Sequence, residues 1–189
     1  QIQDLDDFTE SINMLIYGDT GAGKTVFGSK LPKLLIIEAE KGTISAKRAG
    51  SKAKVWSIND WNDMVEVYEY LSYGEHGFEW IMIDSLTNLQ QRCLRSIMKD
   101  QLDKNPTRDR FIPQLQDYFK WQLMFKEMIK DINELPVNVL WTAQAMVREN
   151  PEGEDIVLPL IEGKDYQIAS WACAQMDVVA HLRTEKVRG

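Results

Sequence analysis

The sequence predicts an α/β fold in which helices flank a mainly parallel central sheet. Short apolar runs, typical of buried parallel strands, alternate along the chain with segments whose apolar residues recur at helical spacing. A glycine-rich loop joins the first apolar run to the next helical segment. No stretch reaches the ~18 uninterrupted apolar residues of a membrane helix, so we expect no membrane contact.

The first half of the chain alternates strand and helix. Pro32 ends the first predicted helix, Asp60 supplies an N-cap for the second, and Ser85 supplies one for the third. The predicted strands cover residues 12–17, 34–37, 54–58 and 80–83, and the predicted helices cover 26–31, 61–71 and 86–97.

The second half begins with a polar segment, residues 99–113, which contains two prolines and shows no apolar period. We predict a long surface loop there, and its length makes it a functional candidate. An amphipathic helix over 115–132 and a strand over 137–142 follow. The remaining predicted elements are a hairpin-like excursion around 151–153, a short helix over 166–173 and a last strand over 176–182.

The glycine-rich loop, Gly18–Thr25, fits the phosphate-binding pattern G-x-x-x-x-G-K-[ST] directly after an apolar strand. Gly18, Gly21 and Gly23 can adopt positive φ at no Cβ cost, so successive N–H groups can turn toward a triphosphate. We expect the Lys24 ammonium between the β- and γ-phosphates and the Thr25 hydroxyl on Mg²⁺, where a helix begins and its dipole favours an anion. The alternative is a glycine-rich turn with a chance Lys-Thr after it. The predicted nucleotide contacts are Asp19, Thr20, Gly21, Ala22, Gly23, Lys24, Thr25 and Val26.

Further polar side chains follow predicted strands at the carboxyl edge of the sheet, where ligands of such folds bind. Asp84 comes after four apolar residues, and we expect it to hold Mg²⁺ through water or to hydrogen-bond Thr25; the alternative is a helix cap. Glu38 and Glu40 follow another strand, and either could orient an attacking water, since strand alternation sends both to one side; the alternative is a solvated loop acid. Gln144 could donate to a γ-phosphate oxygen and move the loop after it, or be an exposed loop residue.

Composition limits the remaining classes. The 189 residues predict a single domain over 1–189, with either terminus open to truncation, and 44% hydrophobic and 27% charged residues are ordinary for a globular protein. Cys93 and Cys173 are too few for a disulfide framework, which favours the reducing cytoplasm. Two histidines are also too few for a zinc cluster. The net charge of −7 disfavours a protein coated in nucleic acid, although local basic clusters occur.

Four motifs, in order along the chain, resemble the RecA-like ATPase core and, more closely, phage-encoded nucleotide-binding proteins related to single-strand-annealing recombinases. The family's acid-Ala-Glu motif matches Glu38-Ala39-Glu40, and because its second acid activates water, the resemblance favours Glu40 as a catalytic residue beside Lys24. The family's Walker Asp-Ser pair matches Asp84-Ser85. The four motifs are Gly18–Thr25, 36–40, 81–85 and 140–144.

The resemblance implies a P-loop NTPase with a RecA-like core that hydrolyses ATP with Mg²⁺ and acts on single-stranded DNA in phage recombination. It also implies a homo-oligomer, a single-strand-binding protein as partner, and the cytoplasm of a bacterial host. The DNA-binding loops would match 99–113 and 145–165, although acidic residues crowd the second. A basic finger that reaches a neighbour's site would be Arg183 or Lys186. The candidate DNA contacts are Lys104, Arg108, Arg110, Phe111 and Arg148.

Two other functions remain open at this point. A nucleoside-type kinase shares the phosphate loop, and Arg108 and Arg110 could then form its lid. A nucleotide-gated interaction module with little turnover would tolerate replacement of Glu40 by Gln. The sequence also leaves open whether the protein forms filaments, and whether it anneals or exchanges strands.

Overall fold

The computed structural model describes residues 11–40, 44–150, 152–163 and 167–185. Strands and helices alternate along these ranges, as the sequence predicts. The strands are β1 (Asn13–Gly18), β2 (Leu34–Glu38), β3 (Lys54–Ser57), β4 (Trp80–Asp84), β5 (Asn138–Glu149), β6 (Asp155–Pro159) and β7 (Val178–His181). The helices are α1 (Lys24–Gly28), α2 (Ile44–Arg48), α3 (Trp61–Ser72), α4 (Leu86–Lys104), α5 (Leu115–Asn133) and α6 (Gln167–Cys173).

The sheet runs in the order β3-β2-β4-β5-β1-β7, and all neighbours along this path are parallel. β6 pairs antiparallel with the outer half of β5. The predicted α/β fold, with a mainly parallel sheet flanked by helices, is therefore confirmed. β5 separates β1, which leads into the glycine loop, from β4, which ends at Asp84.

Each face of the sheet has its own apolar core. Alternate strand residues such as Ile83 and Trp141 face the larger core, which includes side chains of α3, α4, α5 and α6. Their neighbours Met82 and Leu140 face a smaller core beside α1 and α2. At that face α1 approaches the sheet closely, since a Cβ on Gly28 would lie 2.5 Å from the Met82 sulfur. This close approach fixes where the glycine loop meets the sheet.

Several predicted boundaries differ from those of the structure. The predicted helix 26–31 is instead the short α1 (Lys24–Gly28). The predicted loop 99–113 begins as helix, because α4 continues to Lys104. The predicted strand 137–142 runs on to Glu149, because its outer half gains a hairpin partner in β6. α2 (Ile44–Arg48) was not predicted. Among the helices of the described ranges, none has both the length and the apolar character needed to span a bilayer.

Candidate nucleotide-binding site

The register of the sheet brings the predicted site residues to one edge. Gly18, the last residue of β1, pairs with Gln144 of β5, and Glu38, the last residue of β2, pairs with Asp84 of β4. Because these strands are parallel, their carboxyl ends open onto the same crevice. The spacing of the motifs along the chain therefore becomes proximity in space.

The glycine loop adopts the expected turned conformation at two of its three glycines. Gly21 and Gly23 have φ of 83° and 98°, in the region that favours glycine. Gly18 is different, because its requirement for glycine is steric: a Cβ there would lie 2.1 Å from the Leu182 carbonyl oxygen. The expectation of a positive φ at Gly18 is therefore wrong.

Lys24 lies folded over the loop that it follows. Its Nζ donates to the carbonyl oxygens of Gly18 and Asp19, at 2.8 and 2.9 Å. Burial lowers the pKa of this ammonium below its usual 10.5, while the carboxylates of Asp84, Asp19 and Glu40 act in the opposite direction. The half-buried ammonium lines a crevice that also contains Asp84 and Glu40, and a polyphosphate that enters this crevice would contact it. Because α1 has five residues, the anion would be held mainly by loop amides and Lys24 rather than by a helix dipole.

Asp84 is held by two hydroxyl groups. Thr25 Oγ1 donates to Asp84 Oδ2 at 2.7 Å, which is the hydrogen bond expected from the sequence. Thr142 Oγ1 donates to Asp84 Oδ1, also at 2.7 Å, and lies 3.2 Å from the Ile83 carbonyl oxygen. Both carboxylate oxygens therefore have a donor. Sequence reasoning missed Thr142, although a hydroxyl residue within the apolar run Val139–Thr142 was a signal for it.

Glu38 and Glu40, which strand alternation placed on one side, diverge in the structure. β2 ends at Glu38, whose Oε2 accepts from Ser57 Oγ of β3 at 2.9 Å. Beyond it the chain bends, and the Ala39 N–H donates to the Asp84 carbonyl oxygen at 2.9 Å. The bend places Glu40 in the crevice beside Asp84, and Glu38 does not line that crevice.

Gln144 lies within β5 and not in a loop after it, so that part of the prediction is wrong. It lines the crevice, and its backbone is tied to two other elements. The Gln144 N–H donates to Thr87 Oγ1 of α4 at 3.0 Å, and its carbonyl accepts from the Leu160 N–H at 2.7 Å. Thr87 Oγ1 in turn donates to the Leu160 carbonyl at 3.0 Å. Any displacement of Gln144 would therefore reach the segment that follows the β5–β6 hairpin.

These side chains enclose a crevice of about 310 Å³. Six of the eight predicted nucleotide contacts line it, but Asp19 and Ala22 do not; the Ala22 N–H donates to the Asp19 carbonyl at 3.1 Å. Ser45 of α2 and Ser85 also line it, and sequence reasoning did not include them among the contacts. The full lining is Thr20, Gly21, Gly23, Lys24, Thr25, Val26, Glu40, Ser45, Asp84, Ser85 and Gln144.

The donor set suits Mg²⁺ bound together with a polyphosphate. Within the described residues no group of three His, Cys, Asp or Glu side chains converges on a metal site. Mg²⁺ in nucleotide sites needs less from the protein, because phosphate oxygens and water complete its octahedral shell. The Thr25 hydroxyl and the Asp84 carboxylate, in contact at the edge of the crevice, are oxygen ligands of this kind.

The candidate DNA contacts are scattered rather than gathered. Lys104 and Arg148 are exposed, and the Arg110 guanidinium lies 5.1 Å from the centre of the Phe111 ring. Arg108 is a correction, because its side chain is 4% exposed and forms an ion pair with Asp117, which is 1% exposed. It is therefore not free to contact a phosphate or to act in a lid.

Of the two candidate finger residues, the structure describes only Arg183. Arg183 is exposed just beyond β7, whereas Lys186 lies outside the described residues. The Leu182 N–H donates to the Tyr17 carbonyl at 2.8 Å, which places Arg183 near the end of β1.

Comparisons with known proteins give a matching family and similar solved structures. The chain is similar to a KaiC-like protein from the hyperthermophilic archaeon Pyrococcus horikoshii OT3, at 14% identity and a TM-score of 0.41, covering 81% of this chain and 80% of that one. No curated protein matches the sequence. The model of the AAA domain family matches residues 10–187. The glycine loop, Lys24 and the Thr25–Asp84 pair lie within these matched residues, and the chain belongs to the AAA domain family.

Proposed function

We propose that this protein binds ATP with Mg²⁺ and hydrolyses it. The observation that carries the proposal is the convergence of Lys24, the Thr25–Asp84 hydrogen bond and Glu40 on one crevice. These are the parts that phosphoryl transfer to water needs: a cation for the phosphates, oxygen ligands for the metal and a carboxylate for the water.

Each residue has a separate task in this proposal. The loop amides and the Lys24 ammonium bind the phosphates, with the ammonium exchanging its two carbonyl acceptors for phosphate oxygens. Thr25 and Asp84 would hold Mg²⁺, which supplies positive charge against the charge developing on the phosphate oxygens. Glu40 orients the attacking water and accepts its proton, and Gln144 donates to a γ-phosphate oxygen.

The test is ATP hydrolysis measured by phosphate release, with Mg²⁺ and with excess EDTA. We expect Lys24→Ala to abolish nucleotide binding, and Glu40→Gln to retain binding while lowering kcat by about 10²–10⁴-fold. Glu38→Gln is the matched control, because that acid contacts Ser57 and its replacement should leave kcat unchanged. Wild-type kcat in Glu40→Gln would exclude Glu40 as the base, and nucleotide binding with little turnover by the wild-type protein would instead support the nucleotide-gated module.

Single-stranded DNA is the proposed partner, and a groove beside α4 supports it. The groove holds about 470 Å³. Its lining comes from α4 between Gln91 and Leu102, from the segment that contains Arg110, Phe111 and Pro113, and from Glu162. Arg95, Lys99 and Arg110 are exposed along it, and Phe111, 78% exposed, offers a face for a base. Cations that follow a backbone beside an aromatic ring are what single strands bind. Arg110 and Phe111 belong to the contacts predicted from the sequence, Arg95 and Lys99 are added to them, and Arg108 is left out because it pairs with Asp117.

DNA binding is tested with a labelled oligothymidylate by fluorescence anisotropy. We expect Arg110→Ala and Phe111→Ala to weaken binding, and affinity to fall steeply with salt because phosphate contacts release counterions. Arg148→Ala is the matched control, since that arginine lies on the β5–β6 hairpin among Glu149, Glu154 and Asp155. Equal losses in all three variants would argue against the groove. ATP turnover with and without DNA then shows whether the two activities are coupled.

A homo-oligomer with shared sites is the proposed assembly. The motif resemblance, which implies a homo-oligomer, supports this assembly; among the described residues that line the crevice, Lys24 is the one cation. Arg183 is the candidate finger residue on the described chain. If it acts across an interface, Arg183→Ala and Lys24→Ala proteins are each inactive, and mixing them restores part of the turnover. No recovery in a demonstrated mixed oligomer would rule out Arg183.

The proposed setting is phage recombination in a bacterial cytoplasm, together with a single-strand-binding protein, and it is supported by the motif resemblance. Annealing of complementary strands coated with such a protein is its direct assay. No observation favours the nucleoside kinase, because the buried ion pair with Asp117 withdraws Arg108 from a lid. Phosphorylation of nucleosides by the wild-type protein would reverse that judgement.

A further inference from the structure

One face of α4 contacts the turn that carries Glu40. α4 begins directly after Asp84 and Ser85; Asn88 lies three residues after Ser85, and Arg92 lies four residues after Asn88. Side chains at these spacings project from the same side of a helix. The face therefore points at the carboxyl end of β2, next to β4 in the sheet.

Asn88 is the residue of this face that touches Glu40. Its Nδ2 donates to Glu40 Oε2, and it also donates to Ser85 Oγ at 3.1 Å. An amide nitrogen has two hydrogens, and these two bonds use both of them. Only this orientation of the amide places a donor on the carboxylate, so the contact with Glu40 fixes which way Asn88 faces.

The backbone before Glu40 is held from the same helix. Arg92 Nε donates to the Ala39 carbonyl at 2.9 Å, and its Nη1 donates to the Asn59 carbonyl. The Ala39 N–H is bonded in turn to the Asp84 carbonyl. Arg92 therefore fixes the turn, while Asn88 fixes the side chain at the end of it.

We propose that Asn88 is the positioning residue for Glu40, and this inference rests on the proposed ATP hydrolysis. Glu40 is exposed, and an exposed glutamate samples several rotamers unless a partner selects one. The amide holds Oε2 toward α4 and presents Oε1 to a water beside the γ-phosphate. A reacting group displaced by about 1 Å can lose about 10²-fold in rate, so the bond matters for turnover and not for nucleotide affinity.

The experiment separates positioning from folding with three replacements of Asn88. Asn88→Ala removes the donor, Asn88→Asp keeps the shape but turns the donor into a like charge, and Asn88→Gln keeps an amide on a longer stem. We expect ATP affinity and melting temperature to stay near wild type in all three. We expect kcat to fall about 10- to 100-fold in Asn88→Ala, at least as far in Asn88→Asp, and to recover in part in Asn88→Gln. Asn62→Ala, an exposed asparagine in the first turn of α3, is the matched control.

A double-mutant cycle with Glu40→Gln gives the deciding readout. If Asn88 acts through Glu40, then Asn88→Ala costs nothing further in the Glu40→Gln background. Equal costs in both backgrounds, or wild-type kcat in Asn88→Ala and Asn88→Asp, would overturn the inference. In those cases an active wild-type protein and a slow Glu40→Gln protein keep the proposed function intact. If the wild-type protein does not bind or hydrolyse ATP, the proposed function fails first.

Discussion

The hydrogen bond from Thr142 to Asp84 gives a prediction whose size follows from the structure. Thr142 is fully buried, and its one hydroxyl hydrogen is directed at Asp84 Oδ1. Thr142→Val keeps the volume and removes the donor. Hydrogen bonds to charged groups contribute about 1.5–3 kcal/mol, so a loss near 2 kcal/mol lowers Tm by about 4–8 °C in a protein of this size.

The same replacement has a functional consequence. With only Thr25 as donor, Asp84 loses one of the two bonds that fix its carboxylate. Loss of an outer-shell partner of a metal ligand costs about 10- to 100-fold in metal affinity. We therefore expect the Mg²⁺ concentration for half-maximal ATP hydrolysis to rise about tenfold or more in Thr142→Val.

Thr142→Ser is the control, because it keeps the hydroxyl and removes one buried methyl group. That deletion costs about 1 kcal/mol, so its Tm should lie between those of wild type and Thr142→Val, with an unchanged Mg²⁺ requirement. Thermal unfolding by circular dichroism and phosphate release at varied Mg²⁺ measure both effects. The reasoning is refuted if Thr142→Val has the wild-type Tm and Mg²⁺ requirement, or if Thr142→Ser is the more damaged of the two.

Three further predictions concern an ion pair, a close contact of α1 and the Lys24 ammonium. Arg108→Leu leaves the Asp117 carboxylate buried without its ion-pair partner, and should lose about 3–5 kcal/mol in urea unfolding. Adding Asp117→Asn should recover most of that loss, and a wild-type midpoint for Arg108→Leu would contradict the buried pair. Gly28→Ala places a Cβ 2.5 Å from the Met82 sulfur and should lower the free energy of unfolding in urea by about 1–3 kcal/mol. An unchanged free energy of unfolding would exclude the close packing of α1 against the sheet. Burial lowers the pKa of Lys24, so its ammonium loses its proton at a lower pH than an ordinary lysine does. ATP affinity measured by calorimetry should therefore weaken as the pH rises toward 10.5, the usual lysine pKa. An affinity that holds constant up to that pH would exclude a charged Lys24 as the main anion contact.

The parts of the fold predicted correctly depend on local patterns. Apolar runs such as 34–37 and 80–83 became the buried central strands β2 and β4, since burial on both faces needs little beyond a continuous apolar segment. The glycine loop was equally local, because its φ angles at Gly21 and Gly23 follow from the residues themselves. The motifs then met in space because parallel strands share an edge.

The parts that were missed depend on partners distant in sequence. From the sequence, Arg108 was predicted to be a cation of a surface loop, but its side chain is buried in an ion pair with Asp117, at the start of the next helix. Glu38 and Glu40 could not be separated by alternation, because the bend after β2 is made by a hydrogen bond to the Asp84 carbonyl. β5 extends beyond the apolar run 137–142 because β6 pairs with its outer half. In each case a tertiary contact overrode the local signal.

Calorimetric titration of the wild-type, Lys24→Ala and Asp84→Asn proteins with ATP, at fixed Mg²⁺ and again in EDTA, tests the central claim most directly. The account predicts one ATP bound per chain by the wild type, no binding by Lys24→Ala, and an Mg²⁺-dependent gain in affinity that Asp84→Asn loses. Absence of binding by the wild type, or equal binding by all three proteins, would contradict it.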